Sequence, residues 1–137
     1  MERAEELVAL MNAMYEGMRS GDVSGFEAAA LDEVLVIGTD PQEWWSGRAN
    51  VVAAFRAQTE AMGGGFPVQA GDPVAFSHGD VGWIADQPTM TGPDGSTALF
   101  RLTAVTVRSG GEWKLAQMHL SIGVPNEQAF GQELPMS

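Results

Sequence analysis

Few side chains in this sequence are able to do chemistry. There is no cysteine, so thiolate catalysis, disulfides and zinc–thiolate sites are excluded. The two histidines, His78 and His119, lie far apart in a turn and a strand and match no metal-ligand spacing, so no metal is expected. Gly63-Gly64-Gly65 follows a helical stretch instead of opening one, so it is not a phosphate loop, and no nucleophile elbow occurs. No cofactor is implied. Proton transfer by carboxylates is the chemistry that remains. Asp40 ends an apolar run and precedes Pro41, and Asp86 lies inside a strand-like stretch. Tyr15 is the single tyrosine, Trp44 and Trp45 sit close to Asp40, and Arg101 with His119 offers a cation beside an imidazole.

Helices come first among the elements that must position these groups. Leu7, Leu10, Met11, Met14, Tyr15 and Met18 form one stripe of a 3.6-residue period, and Gly21 supplies a stop. Ser24-Gly25-Phe26-Glu27 has capping-box spacing and predicts a second short helix ending near Ala30. Val34 to Ile37 reads as a buried strand. Asp40-Pro41-Gln42-Glu43 repeats the box with proline at the first helical position, which predicts a short turn carrying Trp44 and Trp45. A third helix starts near Arg48 with Val52, Phe55, Thr59 and Met62 on one face. After Gly63-Gly64-Gly65 the period drops to two. Strands are predicted at about 66–77, 81–90, 97–108 and 112–124, joined by Gly-rich turns into an antiparallel meander. Gly71 and Pro73 mark a bulge or an edge in the first of these. The tail from residue 125 has little periodicity.

The expected fold is therefore α+β, a sheet packed on three N-terminal helices. The 137 residues suit a single domain with a core at about 5–124 and a tail at 125–137. Seven basic against eighteen acidic side chains give −11, a field that repels phosphate backbones and anionic lipid, so neither nucleic acid nor membrane is an expected partner. No run approaches the ~20 apolar residues of a membrane helix. MERAEELVAL has no uninterrupted apolar stretch of the secretory kind, so the cytoplasm is the expected compartment.

Strand alternation assigns faces. Ala116, Met118, Leu120 and Ile122 would point to the helices, and Trp113, Leu115, Gln117, His119 and Ser121 away from them. On 97–108 the inward set is Ala98, Phe100, Leu102 and Ala104. A tight turn near Gly110 sets Arg101 opposite His119, Thr103 opposite Gln117 and Val105 opposite Leu115. The outward face mixes apolar and polar groups. A homodimer through it, using Arg101, Thr103, Gln117 and His119, would cover it. Arg101 and His119 are accordingly read as interface residues instead of a catalytic pair.

The chain resembles the SnoaL-like and ketosteroid-isomerase-related branch of the nuclear-transport-factor-two-like superfamily. Ser20-Gly21-Asp22 through Phe26, Ile37 through Gly47, Phe100 through Val105, Gly111 through Leu115 and His119-Leu120-Ser121 carry the resemblance, which spans about residues 5–124. It implies a curved sheet wrapped around the helices as a cone, with the open end as a pocket. The superfamily holds isomerases, cyclases, dehydratases and non-catalytic binding domains, so the fold does not choose the chemistry.

The resemblance also implies roles. Asp40-Pro41 looks like the general-base aspartate and proline of ketosteroid isomerases, although the same residues make an ordinary capping box. Superfamily pockets place Gly82, Ile84, Asp86 and Pro88 inward. Burial there disfavours a charged carboxylate, the setting that makes an acid or base useful. The oxyanion-hole tyrosine of those isomerases would fall on Met14 and the second donor near Leu102 or Ala104, neither able to donate. That argues against a steroid-isomerase mechanism. Tyr15 is read as a core residue whose hydroxyl finds a partner. One of Trp44 and Trp45 is expected to line the pocket, with Tyr15, Phe55, Phe100, Met118 and Leu120 as further ligand contacts. Two functions follow. The first is a cofactor-independent isomerase, cyclase or lyase acting on a small apolar ligand with Asp40 or Asp86 as base. The alternative is a non-catalytic ligand-binding or dimerisation module.

Overall fold

The computed structural model describes residues 1–135, so the last two residues of the expected tail lie outside the described residues. Strand β1 (Glu2–Arg3) leads into helix α1 (Glu5–Ser20), which buries Leu7, Met11, Met14 and Tyr15 and ends on left-handed Gly21. Helix α2 (Ser24–Ala29) follows. The expected Ser24 cap is not made. Asp22 takes that part, its Oδ1 accepting the Ser24 N–H at 3.0 Å. Strand β2 (Ala30–Ile37) and strand β3 (Trp44–Ser46) form a hairpin, and helix α3 (Arg48–Ala61) packs on β2. Trp44 and Trp45 thus stand on a strand and not on a helical turn. Pairing with Ile37 and Val36 outcompetes the helical start that Pro41 offers.

The remaining strands are β4 (Val68–Gln69), β5 (Val74–His78), β6 (Val81–Asp86), β7 (Thr89–Thr91), β8 (Thr97–Ser109) and β9 (Glu112–Ile122), with a short helix α4 (Asn126–Phe130) in the tail. The two first strands of the expected meander are each broken in two, one around Gly71–Pro73 and the other at Gln87-Pro88. A proline cannot donate to a ladder and a glycine lets the backbone turn, so the sheet bends at both places. The outer pieces β4 and β7 pair with each other, and β7 pairs with the start of β8.

The main sheet runs β1-β5-β6-β8-β9-β2-β3 and does not close. Its pairs are antiparallel except β2 with β9, which is parallel, with Val36 beside Met118 and Ile37 beside His119. A parallel neighbour needs a long crossover, here everything from β3 to β8. The result is an α+β cone, with the helices on the concave side. Leu7, Met11, Val34, Ile84, Leu102 and Leu115 are completely or almost completely buried between them.

One register differs from the expected pairing. Gly110 and Gly111, at φ 61° and 81°, make the two-residue turn whose twist suits a hairpin, and Ser109 pairs with Glu112. Further up, Thr106 pairs with Leu115 but Val105 pairs with Gln117, so Ala116 is an extra residue in β9. Beyond this bulge Thr103 faces His119 and Arg101 faces Ser121. A bulge shifts alternation by one. Leu115 therefore points to the core at 0% exposure instead of outward and Trp113 packs against the core, while Ile122, on the same face as Met118 and Leu120, is 46% exposed instead of buried because the strand ends there. On β8 Leu102 and Ala104 are buried while Leu99, Arg101, Thr103 and Val105 are exposed, as alternation predicts.

The bulge is testable by truncation. Leu115→Ala should lose ~2–5 kcal/mol of stability in chemical denaturation. Ile122→Ala should stay within ~0.5 kcal/mol of the parent. Met118→Ala, on the other side of the bulge, should also be costly. A loss in only one of Leu115→Ala and Met118→Ala would mean that β9 alternates without interruption.

Candidate functional site

Between α1, α2, α3 and the concave sheet lies a cavity of about 480 Å³. Helix α1 gives it Leu10, Met14 and Met18, the α2 segment Val23 and Phe26, and α3 Val51, Phe55 and Met62. The sheet adds Val36, Trp45, Met90, Phe100, Met118 and Leu120. Phe66 closes one side, its ring 6.0 Å from that of Phe55. Among the described residues five methionines and four phenylalanines line this one space, which makes the wall adaptable and polarisable. The size and apolar character suit a small organic molecule.

Among the described residues four polar side chains reach the cavity: Asp22, Thr39, Glu43 and Gln58. Glu43 is the most firmly held. The chain after β2 folds back so that Gly38 N–H donates to the Glu43 carbonyl at 2.8 Å and Glu43 N–H to the Asp40 carbonyl at 2.9 Å. The Glu43 carboxylate accepts the Asp40 N–H through Oε1 at 2.9 Å and the Gln58 Nε2–H through Oε2 at 2.6 Å. A Cβ at position 38 would come within 2.8 Å of Glu43 Cβ, so only glycine lets the side chain lie there. Asp22 stands at the rim. The backbone N–H and then the hydroxyl of Ser24 hold its carboxyl below the usual range. Among the described residues no basic side chain lines the cavity.

Of the residues singled out from the sequence, Trp45, Phe55, Phe100, Met118 and Leu120 meet in the cavity. Strand alternation in β3 decides between the tryptophans: Trp45 points in, and Trp44 is 64% exposed. Asp40, Asp86 and Tyr15 do not line the cavity. Asp40 is exposed, its Oδ1 accepting the Gln42 N–H at 2.9 Å in a turn that starts no helix. Asp86 does face inward, at 7% exposure, but away from the cavity. Its Oδ2 accepts the Tyr15 hydroxyl at 2.7 Å and the Gly71 N–H at 3.1 Å. This cluster ties β6 to α1 and to the loop before β5. Burial, followed by the hydrogen bond to Asp86 and its charge, pushes the Tyr15 hydroxyl far above its ordinary range. Arg101, Thr103 and His119 are exposed on the convex face and Gln117 is half-buried there.

Glu43 and Gln58 are not among the site residues expected from the sequence. Glu43 looked like the closing residue of a capping box, and it does satisfy Asp40 N–H as such a residue would. Gln58 had a signal. It is three residues after Phe55 and four before Met62, on the face that these two mark. Among the described residues no cluster of three metal-ligating side chains occurs.

The SnoaL-like domain model matches residues 7–125. The chain belongs to the SnoaL-like family. No curated protein matches this SnoaL-like chain. Solved structures share its fold. An NTF2-like protein of unknown function from Pseudomonas putida superposes with a TM-score of 0.82 at 17% identity, over 97% of this chain and 94% of the other. A candidate dehydratase of the NTF2-like family from Streptomyces avermitilis gives 0.75 at 20%, over 88% and 95%. A candidate ketosteroid isomerase from Parabacteroides distasonis gives 0.68 at 16%, over 87% and 86%. At such identities the likeness is one of fold. No helix among the described residues is long and apolar enough to cross a membrane.

Because Tyr15 is the single tyrosine, phenolate absorbance reports on it alone. Its hydroxyl is held protonated in the fold, whereas an unfolded tyrosine ionises near pH ~10. Its contribution is therefore complete below about pH 10 and falls as pH rises above that. Phenolate absorbance should stay absent until the protein unfolds in alkali. Tyr15→Phe should lose ~1–3 kcal/mol at neutral pH, since Asp86 loses a donor. Ordinary titration of Tyr15 in the folded protein would contradict the buried pair.

Proposed function

We propose that this SnoaL-like protein binds a small, largely apolar molecule in the cavity between helices and sheet and moves a proton on it, with Glu43 as the base. The supporting observation is that Glu43 is a half-buried carboxylate, fixed by Gln58 and the Asp40 N–H, on a wall made mostly of Met, Phe, Trp and aliphatic side chains. A base must be within reach of the ligand before its proton affinity matters. Asp40 and Asp86 lie outside the cavity and do not meet that condition. The names of two fold neighbours, a candidate dehydratase and a candidate ketosteroid isomerase, suit cofactor-independent proton transfer. A binding role without chemistry is favoured by a different fact. Both oxygens of Glu43 already accept hydrogen bonds, the other acid on the wall, Asp22, is an exposed carboxylate that Ser24 holds in its charged form, and among the described residues no tyrosine lines the cavity.

A second copy of the chain covers the convex face in this reading. Leu99 and Val105 are exposed there among Arg101, Thr103 and His119, an apolar–polar mix typical of an isologous interface. Cytoplasmic residence belongs to the same reading.

Native mass spectrometry of the purified protein, with ligand-induced shifts in melting temperature, tests the cavity. A small molecule should bind one per chain, and Leu120→Trp, which fills the space from β9, should abolish binding and shift alike. Retained binding in that variant would place the site elsewhere. Once a converted ligand is in hand, Glu43→Gln should lower kcat ~10²-fold or more while Asp40→Asn stays near the parent. In sedimentation velocity the parent should run as a dimer and Val105→Glu as a monomer. A monomeric parent would remove the interface.

A further inference from the structure

The charges around the cavity define what the ligand must carry. We infer that the ligand is an amphipathic organic cation, an apolar body ending in a protonated amine that sits against Glu43. This rests on the proposed binding role of the cavity and adds the ligand's chemical class to it.

Three observations converge. The first concerns Glu43 itself. An apolar ligand that filled the cavity would strip water from this half-buried carboxylate, and a charge desolvated without a partner is costly. Gln58 and the Asp40 N–H each supply one donor, but a carboxylate has about four acceptor sites. A ligand with its own donor fills what remains, and a charged donor does so most strongly. The second observation is the absence of a counter-cation. The arginines nearest the helices are engaged elsewhere: Arg48 with Asp32, Arg56 with Glu27, and Arg19 with Glu16 and the Val68 carbonyl. With no lysine, arginine or histidine on the wall among the described residues, a carboxylate or phosphate ligand would meet two like charges and no cation to pair with. The net charge of −11 acts in the same direction by drawing cations to the mouth. The third is the wall. Trp45 and the phenylalanines present aromatic faces, which attract an ammonium, and the methionines adapt to an irregular apolar body.

The test uses three probes with one body: 4-phenylbutylamine, 4-phenylbutanol and 4-phenylbutyrate, titrated by calorimetry. The amine should bind ~10-fold or more tighter than the alcohol, as a charge-assisted hydrogen bond implies, and the butyrate should bind weakest. Raising the salt concentration should weaken the amine and leave the alcohol unchanged. Glu43→Gln should bring the amine to the level of the alcohol. Thr39→Lys, which places a cation on the wall without touching Glu43, should reverse the order in favour of the butyrate. An alcohol that binds as well as the amine, a butyrate that binds best to the parent, or an amine preference that survives Glu43→Gln would each overturn the inference while leaving the cavity as a binding site. Failure of all three probes, together with no response to Leu120→Trp, would bring down the binding role as well.

Discussion

The long hairpin from Thr97 to Ile122 is the constraint on which the other parts rest. Strand β8 is paired on both sides, with β6 and β7 along one edge and β9 along the other. Strand β9 in turn carries the parallel pair with β2. Every element that touches the cavity is therefore attached, directly or through one neighbour, to this hairpin. The bulge at Ala116 adds local twist, so the sheet curves round α1 instead of lying flat against it. A curved sheet leaves more room at its open end than three short helices can fill. That surplus space is the cavity.

Two carboxylates inside the cone have opposite surroundings and so different work to do. Asp86 is closed in by Tyr15 and Gly71 and holds three segments together. Its neighbour Tyr15 is kept protonated by that burial, which secures the donor side of the bond. Glu43 is anchored just as specifically, by Gln58 and a backbone N–H, but on the wall of an open space. Fixing a charged group by hydrogen bonds before a ligand arrives spares the ligand the cost of ordering it. The Met- and Phe-rich wall then lowers the local dielectric, so each polar contact made at Glu43 counts for more than it would in water.

Much was legible in the chain because periodicity and capping act over a few residues. The α1 stripe from Leu7 to Met18, its stop at Gly21, the third helix from Arg48, and the inward set of β8 all follow from spacing alone. The resemblance to the SnoaL-like family, carried by short blocks from Ser20 to Ser121, agrees with the family match over residues 7–125. The resemblance also implied the inward turn of Asp86, while the helical face of Phe55 and the strand alternation of Phe100, Met118 and Leu120 bring these four into one cavity.

What tertiary structure decided is where two distant segments had to agree. Alternation cannot reveal an extra residue, so the inward turn of Leu115 is fixed only by the pairing of β9 with β8, and Ile122 is exposed because it ends its strand. Trp44 and Trp45 are equivalent in a local window, and it is pairing with β2 that turns Trp45 into the cavity. Glu43 sat in a convincing capping box, but the helix that the box announces never forms, because a strand edge satisfies those backbone groups instead. Its partner Gln58 lies fifteen residues away on another element. Composition and local periodicity thus determined the helices, the inward faces and the apolar lining. Long-range pairing alone could choose which carboxylate stands in the cavity, since a side chain's exposure depends on neighbours that its own stretch of sequence does not contain.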